Sequence, residues 1–77
     1  MRPGVAVGLR VADIRGYSVG VVVDLSPDAL CVETAQGKVW LNEQCVFTVD
    51  CRRGIELEVN RAQLHSCMVT PPPRDLC

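Results

Sequence analysis

The stretch that decides the fold is residues 9–25, which read Leu-Arg-Val-Ala-Asp-Ile-Arg-Gly-Tyr-Ser-Val-Gly-Val-Val-Val-Asp-Leu. Apolar residues recur at every second position in residues 9–13 and again in residues 18–25, which is the period of a β-strand with one buried face. Gly16 stands between the two segments and can adopt the positive φ that a tight turn often needs. The stretch therefore predicts a β-hairpin.

The alternation continues to Asn60, with short turns rich in Gly, Pro and Asp between the apolar segments. Further strands are predicted at residues 30–34, 38–42, 46–50 and 55–59, with a short link at 42–45. Within them the period places Val39, Leu41, Phe47 and Val49 in the core. The pattern predicts an all-β fold, a small and partly open antiparallel β-barrel of about six strands.

The C-terminal part carries a helix signal followed by a change of composition. Asn60 is followed three residues later by Gln63, the spacing of a capping box, which predicts a short helical turn over residues 61–66 with Leu64 covering one end of the barrel. Residues beyond Ser66 include Pro-Pro-Pro and predict an extended tail. We therefore expect a single β-barrel domain at 1–66 and a flexible Pro-rich tail at 67–77.

Composition and charge disfavour several classes of partner. The chain has 77 residues, 48% of them hydrophobic, and a formal net charge of −1. Nucleic-acid binding normally shows an excess of Lys and Arg, so nucleic acid is an unfavoured partner. The longest apolar run, residues 19–23, is far shorter than the roughly 20 residues of a membrane span, and the N-terminal apolar run is too short for a secretory signal. We expect no membrane span and a cytoplasmic location.

Five cysteines are unusual in so short a chain, and their odd number means that at least one cannot pair within the molecule. No Cys-x-x-Cys pair and no histidine at ligand spacing is present, so we expect no metal and no cofactor. Cys31, Cys45 and Cys51 lie in or beside predicted strands, where cysteine acts as a small hydrophobic residue. Cys67 and Cys77 lie in the predicted tail and are the expected sites of oxidation or crosslinking. In a reducing compartment all five would be free.

No group of residues indicates an active site. Asp24, Glu33, Glu56 and Glu58 could gather carboxylates on an outer face, but they are better explained as solvated residues of strand faces. His65 is the only histidine, and no converging partners accompany it. We expect no catalytic residues and no enzymatic activity.

Trp40 is the candidate centre of an interface. The strand period places it on the face opposite the core, as it does Val22 and Val46. An outward tryptophan with neighbouring valines has the composition of an interface centre, and a homodimer is the commonest form of such a contact. The candidate interface is therefore Trp40, Val22 and Val46.

Arginines in turns are the candidate contacts to RNA phosphates. They are Arg15, accompanied by Tyr17, in the first turn and Arg52 and Arg53 in the last, and small β-barrels sometimes contact RNA through such loops. The sequence offers them no supporting aromatic platform, so a solvated turn explains them better.

The order of residues 11–24, Val-Ala-Asp-Ile-Arg-Gly-Tyr-Ser-Val-Gly-Val-Val-Val-Asp, resembles the opening hairpin of the PRC-barrel family. Residues 39–42, Val-Trp-Leu-Asn, and residues 46–50, Val-Phe-Thr-Val-Asp, fall where those domains have a strand, a link and a strand ending in an acidic residue. The family includes the extramembrane domain of the photosynthetic reaction centre H subunit and the C-terminal domain of the ribosome maturation factor RimM. The resemblance implies a partly open, SH3-like β-barrel that serves as a binding or assembly module and has a protein partner.

These features leave three candidate functions. The first is a non-enzymatic β-barrel module for protein–protein interaction or self-assembly. The alternatives are an RNA-binding accessory protein similar to a ribosome maturation factor, and a cysteine-based redox or metal protein.

Overall fold

The computed structural model describes residues 5–52 and 54–70, except the side chain of Cys51. Six strands alternate with short turns, each within one residue of its predicted bounds. They are β1 (Arg10–Asp13), β2 (Ser18–Leu25), β3 (Ala29–Thr34), β4 (Gly37–Asn42), β5 (Phe47–Cys51) and β6 (Gly54–Val59). Short 3₁₀ turns occupy Glu43–Cys45 and Arg61–Gln63, and a single helical turn, α1, follows at Leu64–Cys67. The expectation of a mostly β fold is confirmed.

The six strands form one sheet in the order β4-β3-β2-β1-β6-β5. Four neighbouring pairs are antiparallel, but β1 and β6 run parallel, with Val11 opposite Leu57 and Asp13 opposite Val59. The prediction of a wholly antiparallel arrangement is therefore wrong at this pair. Local alternation predicts where strands lie but not which strand the β5–β6 hairpin will join. Within the described residues β4 and β5 do not pair with each other, so the sheet is not closed.

The core is one cluster of mainly aliphatic side chains, and Val22 belongs to it. The prediction that Val22 faces outward is wrong, because it is fully buried opposite Val32. The pairing of β2 shifts on both sides of Val22, with β1 between Ser18 and Gly20 and with β3 between Val22 and Asp24, so irregular pairing inverts the alternation around this residue. Leu25, beyond the bulge, still packs against the core as predicted. The buried cluster comprises Val11, Val22, Leu30, Val32, Leu41, Val46, Leu57, Val59 and Cys67.

The alternation is also shifted at the start of β5. The 3₁₀ turn Glu43–Cys45 ends at Val46, whose backbone N–H donates to the Glu43 carbonyl at 3.1 Å before the strand begins. Val46 is fully buried, so its predicted outward position is wrong. Phe47, predicted in the core, lies on the opposite face and is 56% exposed. One helical turn therefore exchanges the inner and outer positions of this strand.

The C-terminal segment remains packed on the sheet beyond residue 66, where the sequence predicted that the domain ends. The helical prediction is confirmed, and the Asn60 side chain accepts from the Ala62 backbone N–H at 3.1 Å. Cys67, expected in a flexible tail, is buried in the core and forms a disulfide with Cys45. Met68 then pairs with Leu41 at the outer edge of β4. Of the tail predicted at 67–77, residues 71–77, with Cys77, lie outside the described residues.

Candidate functional site

Trp40 lies on the outer face of β4 and is half-buried. Its neighbour Leu41 is fully buried, so alternation turns the indole away from the core, as the sequence predicts. The Trp40 carbonyl accepts a hydrogen bond from the Val69 N–H at 2.9 Å, which holds the C-terminal segment against the β4 edge. The face assignment of Trp40 is therefore right, and a segment of the same chain lies beside it.

A small cleft opens at this place on the surface, with a volume of about 190 Å³. We name it the Trp40 surface; its lining residues are Lys38, Val39, Trp40, Met68 and Val69. Met68 is 44% exposed and Val69 is 36% exposed, so apolar groups from two separate parts of the chain meet solvent together. Trp and Met are among the residues enriched at the centres of protein interfaces.

Of the predicted interface residues, the structure keeps only Trp40 at the surface. Val22 and Val46 are core residues and offer nothing to a partner. In their place stand Met68 and Val69, which the sequence analysis assigned to the tail. Leu64 and Cys67 have the i, i+3 spacing of an apolar helical face and pack on the core, whereas Met68 follows α1 in extended backbone.

A second cleft, the arginine cleft, lies between the β1–β2 turn and the 3₁₀ turn at Arg61–Gln63, with a volume of about 480 Å³. Its lining residues are Asp13, Ile14, Arg15, Tyr17, Asn60, Arg61 and Ala62. Tyr17, which shares the first turn with Arg15 as the sequence predicts, is 65% exposed and lines the same cleft. Arg61 was not predicted, and it lies 46 residues from Arg15 in the chain.

Asp13 fixes the geometry of the arginine cleft. Asp13 is only 5% exposed. Its Oδ1 accepts hydrogen bonds from the backbone N–H groups of Ile14, at 2.8 Å, and Arg61, at 3.0 Å. Backbone hydrogen bonds between Asp13 and Tyr17, at 2.7 Å, and Gly16, at 2.7 Å, close the turn. The carboxylate is thus engaged in positioning, and the arginine side chains supply the charge that faces solvent.

The predicted RNA-contacting arginines do not form one surface. Arg15 follows β1, whose last residue is opposite the last residue of β6, whereas Arg52 precedes the first residue of β6. At about 3.3 Å per residue, the five steps along β6 separate the two turns by roughly 16 Å. Arg53 lies outside the described residues. The structure therefore brings Arg15 together with Arg61 and leaves Arg52 at the far end of the strand.

A third cleft, the central cleft, has a volume of about 310 Å³. Its lining includes Val19, Thr34, Val39, Arg61, Leu64 and Met68. Val19, Val39 and Leu64 also pack against the core, so the floor of this cleft is rigid and mainly apolar. The central cleft lies between the other two, because it shares Arg61 with the arginine cleft and Val39 and Met68 with the Trp40 surface.

The remaining candidate residues take structural or solvated positions. Glu56 pairs with Arg10 at 2.9 Å on the surface of the sheet, and the Asp24 carboxylate accepts from the Leu25 N–H at 2.8 Å. His65 is exposed on α1. In the part of the chain that the structure describes, no three His, Cys, Asp or Glu side chains come together in a group that could hold a metal ion.

The disulfide partners of the site are Cys45 and Cys67, and Cys31 is a buried thiol in β3. The bond joins the 3₁₀ turn after β4 to the end of α1, one residue before Met68. It therefore fixes the segment that forms one wall of the Trp40 surface.

Within residues 5–52 and 54–70, no helix has the length and apolar character that crossing a bilayer would require. The chain matches no known protein-family model, no curated protein and no solved structure.

Proposed function

We propose that this protein is a non-enzymatic interaction module that binds a segment of a partner protein at the Trp40 surface. The observation that carries the proposal is the juxtaposition of Trp40 with Met68 and Val69, an apolar surface built from β4 and the C-terminal segment. Burying such side chains against a partner contributes roughly 25 cal/mol per Å² of apolar surface, and tryptophan is the residue type most enriched at energetic centres of interfaces.

The size of the surface favours a short segment over a second folded domain. A standard interface buries about 800 Å² on each partner. Met68 and Val69 are each less than half exposed, at 44% and 36%, and Trp40 is half-buried, so these side chains supply only a small part of that area. A short peptide segment that fits the cleft needs a smaller contact area than a folded domain does. The PRC-barrel resemblance of residues 11–24 supports the same class of function, since it implies a binding or assembly module.

Selection from a displayed library of random peptides tests the proposal. We expect the folded protein to enrich peptides with a common apolar feature, and Trp40→Ala to abolish their binding. Phe47→Ala is the matched control, because Phe47 is an aromatic residue, 56% exposed, on β5 at the other end of the sheet order. No enrichment, or enriched peptides that bind wild type and Trp40→Ala equally, would overturn the proposal.

Light scattering on the purified protein distinguishes the segment from a second copy of the chain. A monomer that binds the selected peptides supports the proposal. A dimer that dissociates in Trp40→Ala and not in Phe47→Ala would instead assign the surface to self-association, which is the homodimer expected from the sequence.

A further inference from the structure

The three clefts form one groove. Arg61 separates the arginine cleft from the central cleft and lines both, while Val39 and Met68 line both the central cleft and the Trp40 surface. We define the groove as these three adjacent clefts, from Tyr17 at the β1–β2 turn to Trp40 on β4. In the sheet order β4 and β1 are three strand spacings apart, which is about 14 Å. An extended chain of four or five residues covers that distance at about 3.3 Å per residue.

The two ends of the groove differ in chemistry. At one end stand the guanidinium groups of Arg15 and Arg61, neither of which forms an ion pair with any residue that the structure describes. Among the described residues that line this end, the carboxylate is that of Asp13, which is almost fully buried and accepts two backbone N–H groups. At the other end Lys38 has Glu33 directly opposite it on β3, so its charge is partly balanced, and the apolar groups of Trp40 and Met68 dominate.

We propose that the groove binds an extended segment of a partner protein with carboxylate side chains at the arginine end and an apolar side chain at the Trp40 end. This inference rests on the proposed function and extends its site. Two arginine forks match carboxylates in bidentate geometry, and this complementarity fixes the direction of the bound segment. The middle of the bound segment would lie on the apolar floor of the central cleft, which is made by Val19, Val39 and Leu64.

Nucleic acid fits this groove less well. The formal net charge of the chain is −1, so its overall field does not attract a polyanion. Only the arginine end is strongly basic, and the central cleft is lined mainly by apolar side chains. A strand of RNA carries a phosphate at every nucleotide and would need basic contacts along the full length of the groove. A protein segment can place acidic side chains at one end and apolar side chains at the other.

The test compares the peptides selected by wild type with those selected by the double variant Arg15→Gln/Arg61→Gln. We expect wild type to enrich peptides with Asp or Glu about four positions from an apolar residue, and the double variant to lose the acidic enrichment while keeping the apolar one. For a selected peptide, binding to the double variant should be about tenfold weaker or more, since charge-assisted hydrogen bonds are lost. Each single variant, Arg15→Gln or Arg61→Gln, is compared with Arg52→Gln, which removes one positive charge from a residue that lines none of the three clefts.

The outcomes separate this inference from the proposed function. Peptides that depend on Trp40 but carry no acidic enrichment and bind the double variant normally would overturn the inference and leave the proposed function standing. Selected peptides whose binding depends on neither Trp40 nor the two arginines would overturn both the inference and the proposed function. Binding of single-stranded oligouridylate at low salt that is lost in the double variant, without acidic peptide binding, would assign the arginine end to RNA and also overturn the inference. A thermal melt of each variant verifies that it is folded.

Discussion

The carboxylate of Asp13 accepts a hydrogen bond from the backbone N–H of Arg61 at 3.0 Å, across 48 residues of sequence. The same oxygen, Oδ1, accepts from the Ile14 N–H at 2.8 Å, so one buried atom joins the β1–β2 turn to the segment that follows β6. The parallel pairing of Asp13 with Val59 places the two segments side by side. This relationship holds the turn that carries Arg15 beside the backbone of Arg61, and both residues line the arginine cleft.

Replacing Asp13 by Ala should destabilise the fold by about 2–3 kcal/mol, because it leaves a buried backbone N–H without its acceptor. Asp13→Asn keeps an acceptor oxygen and should cost less. Urea unfolding measures both values, with Asp50→Ala as the control because Asp50 is an exposed residue of β5. Equal stability of wild type and Asp13→Ala would contradict the positioning role.

Removing the Cys45–Cys67 disulfide should lower the free energy of unfolding by about 3 kcal/mol, the loop-closure value for a separation of 22 residues. Cys67→Ser in the absence of reductant should show this loss, as should wild type in its presence. The matched control is reductant added to Cys67→Ser, which should have no further effect. An equal free energy of unfolding for wild type with and without reductant would contradict the structural role of the bond.

The disulfide itself is tested by mass spectrometry of the unreduced tryptic digest. Cleavage after Lys38, Arg52, Arg61 and Arg74 places Cys45 and Cys51 in residues 39–52 and Cys67 in residues 62–74, so fragmentation of the linked pair must distinguish Cys45 from Cys51. We expect these two peptides to be linked after incubation with oxidised glutathione. In the reducing cytoplasm predicted from the sequence the pair would be open, releasing Met68 and Val69 and weakening peptide binding. Alkylation of both thiols after oxidation would contradict the pairing.

Gly20 is required by the close approach of β2 to β3. A Cβ at this position would overlap the Glu33 carbonyl oxygen and crowd the Val32 side chain. Gly20→Ala should therefore destabilise the fold by about 1–3 kcal/mol, the usual cost of overpacking. Val21→Ala, a change at the exposed neighbouring position, should cost much less in the same unfolding experiment. A Gly20→Ala variant as stable as wild type would show that the two strands can separate at no cost.

The sequence predicts the strands well because their alternation is local. Each strand lies within one residue of its expected bounds, and the Asn60 cap begins the helical segment where expected. The face of a strand is less predictable, because one inserted residue reverses it. The register shifts on either side of Val22 and the 3₁₀ turn before Val46 change the alternation in this way, and both valines are buried.

The site is predicted only in part, because it is assembled from distant segments. Trp40 and Arg15 are each recognisable from the sequence as exposed residues of interest. Their partners Met68 and Arg61 come from the segment after β6, whose position depends on a parallel strand pairing and a disulfide. Neither long-range contact leaves a periodic signal in the chain, so the groove could not be derived from local pattern.

The most direct test of the Trp40 surface uses the fluorescence of the protein itself, since Trp40 is the single tryptophan of the chain. On titration with a selected peptide that contains no tryptophan, we expect a saturable blue shift of the emission as the indole loses contact with water. Its midpoint should match the dissociation constant measured by anisotropy of the labelled peptide. A peptide that binds by anisotropy while the Trp40 emission stays unchanged would contradict the account.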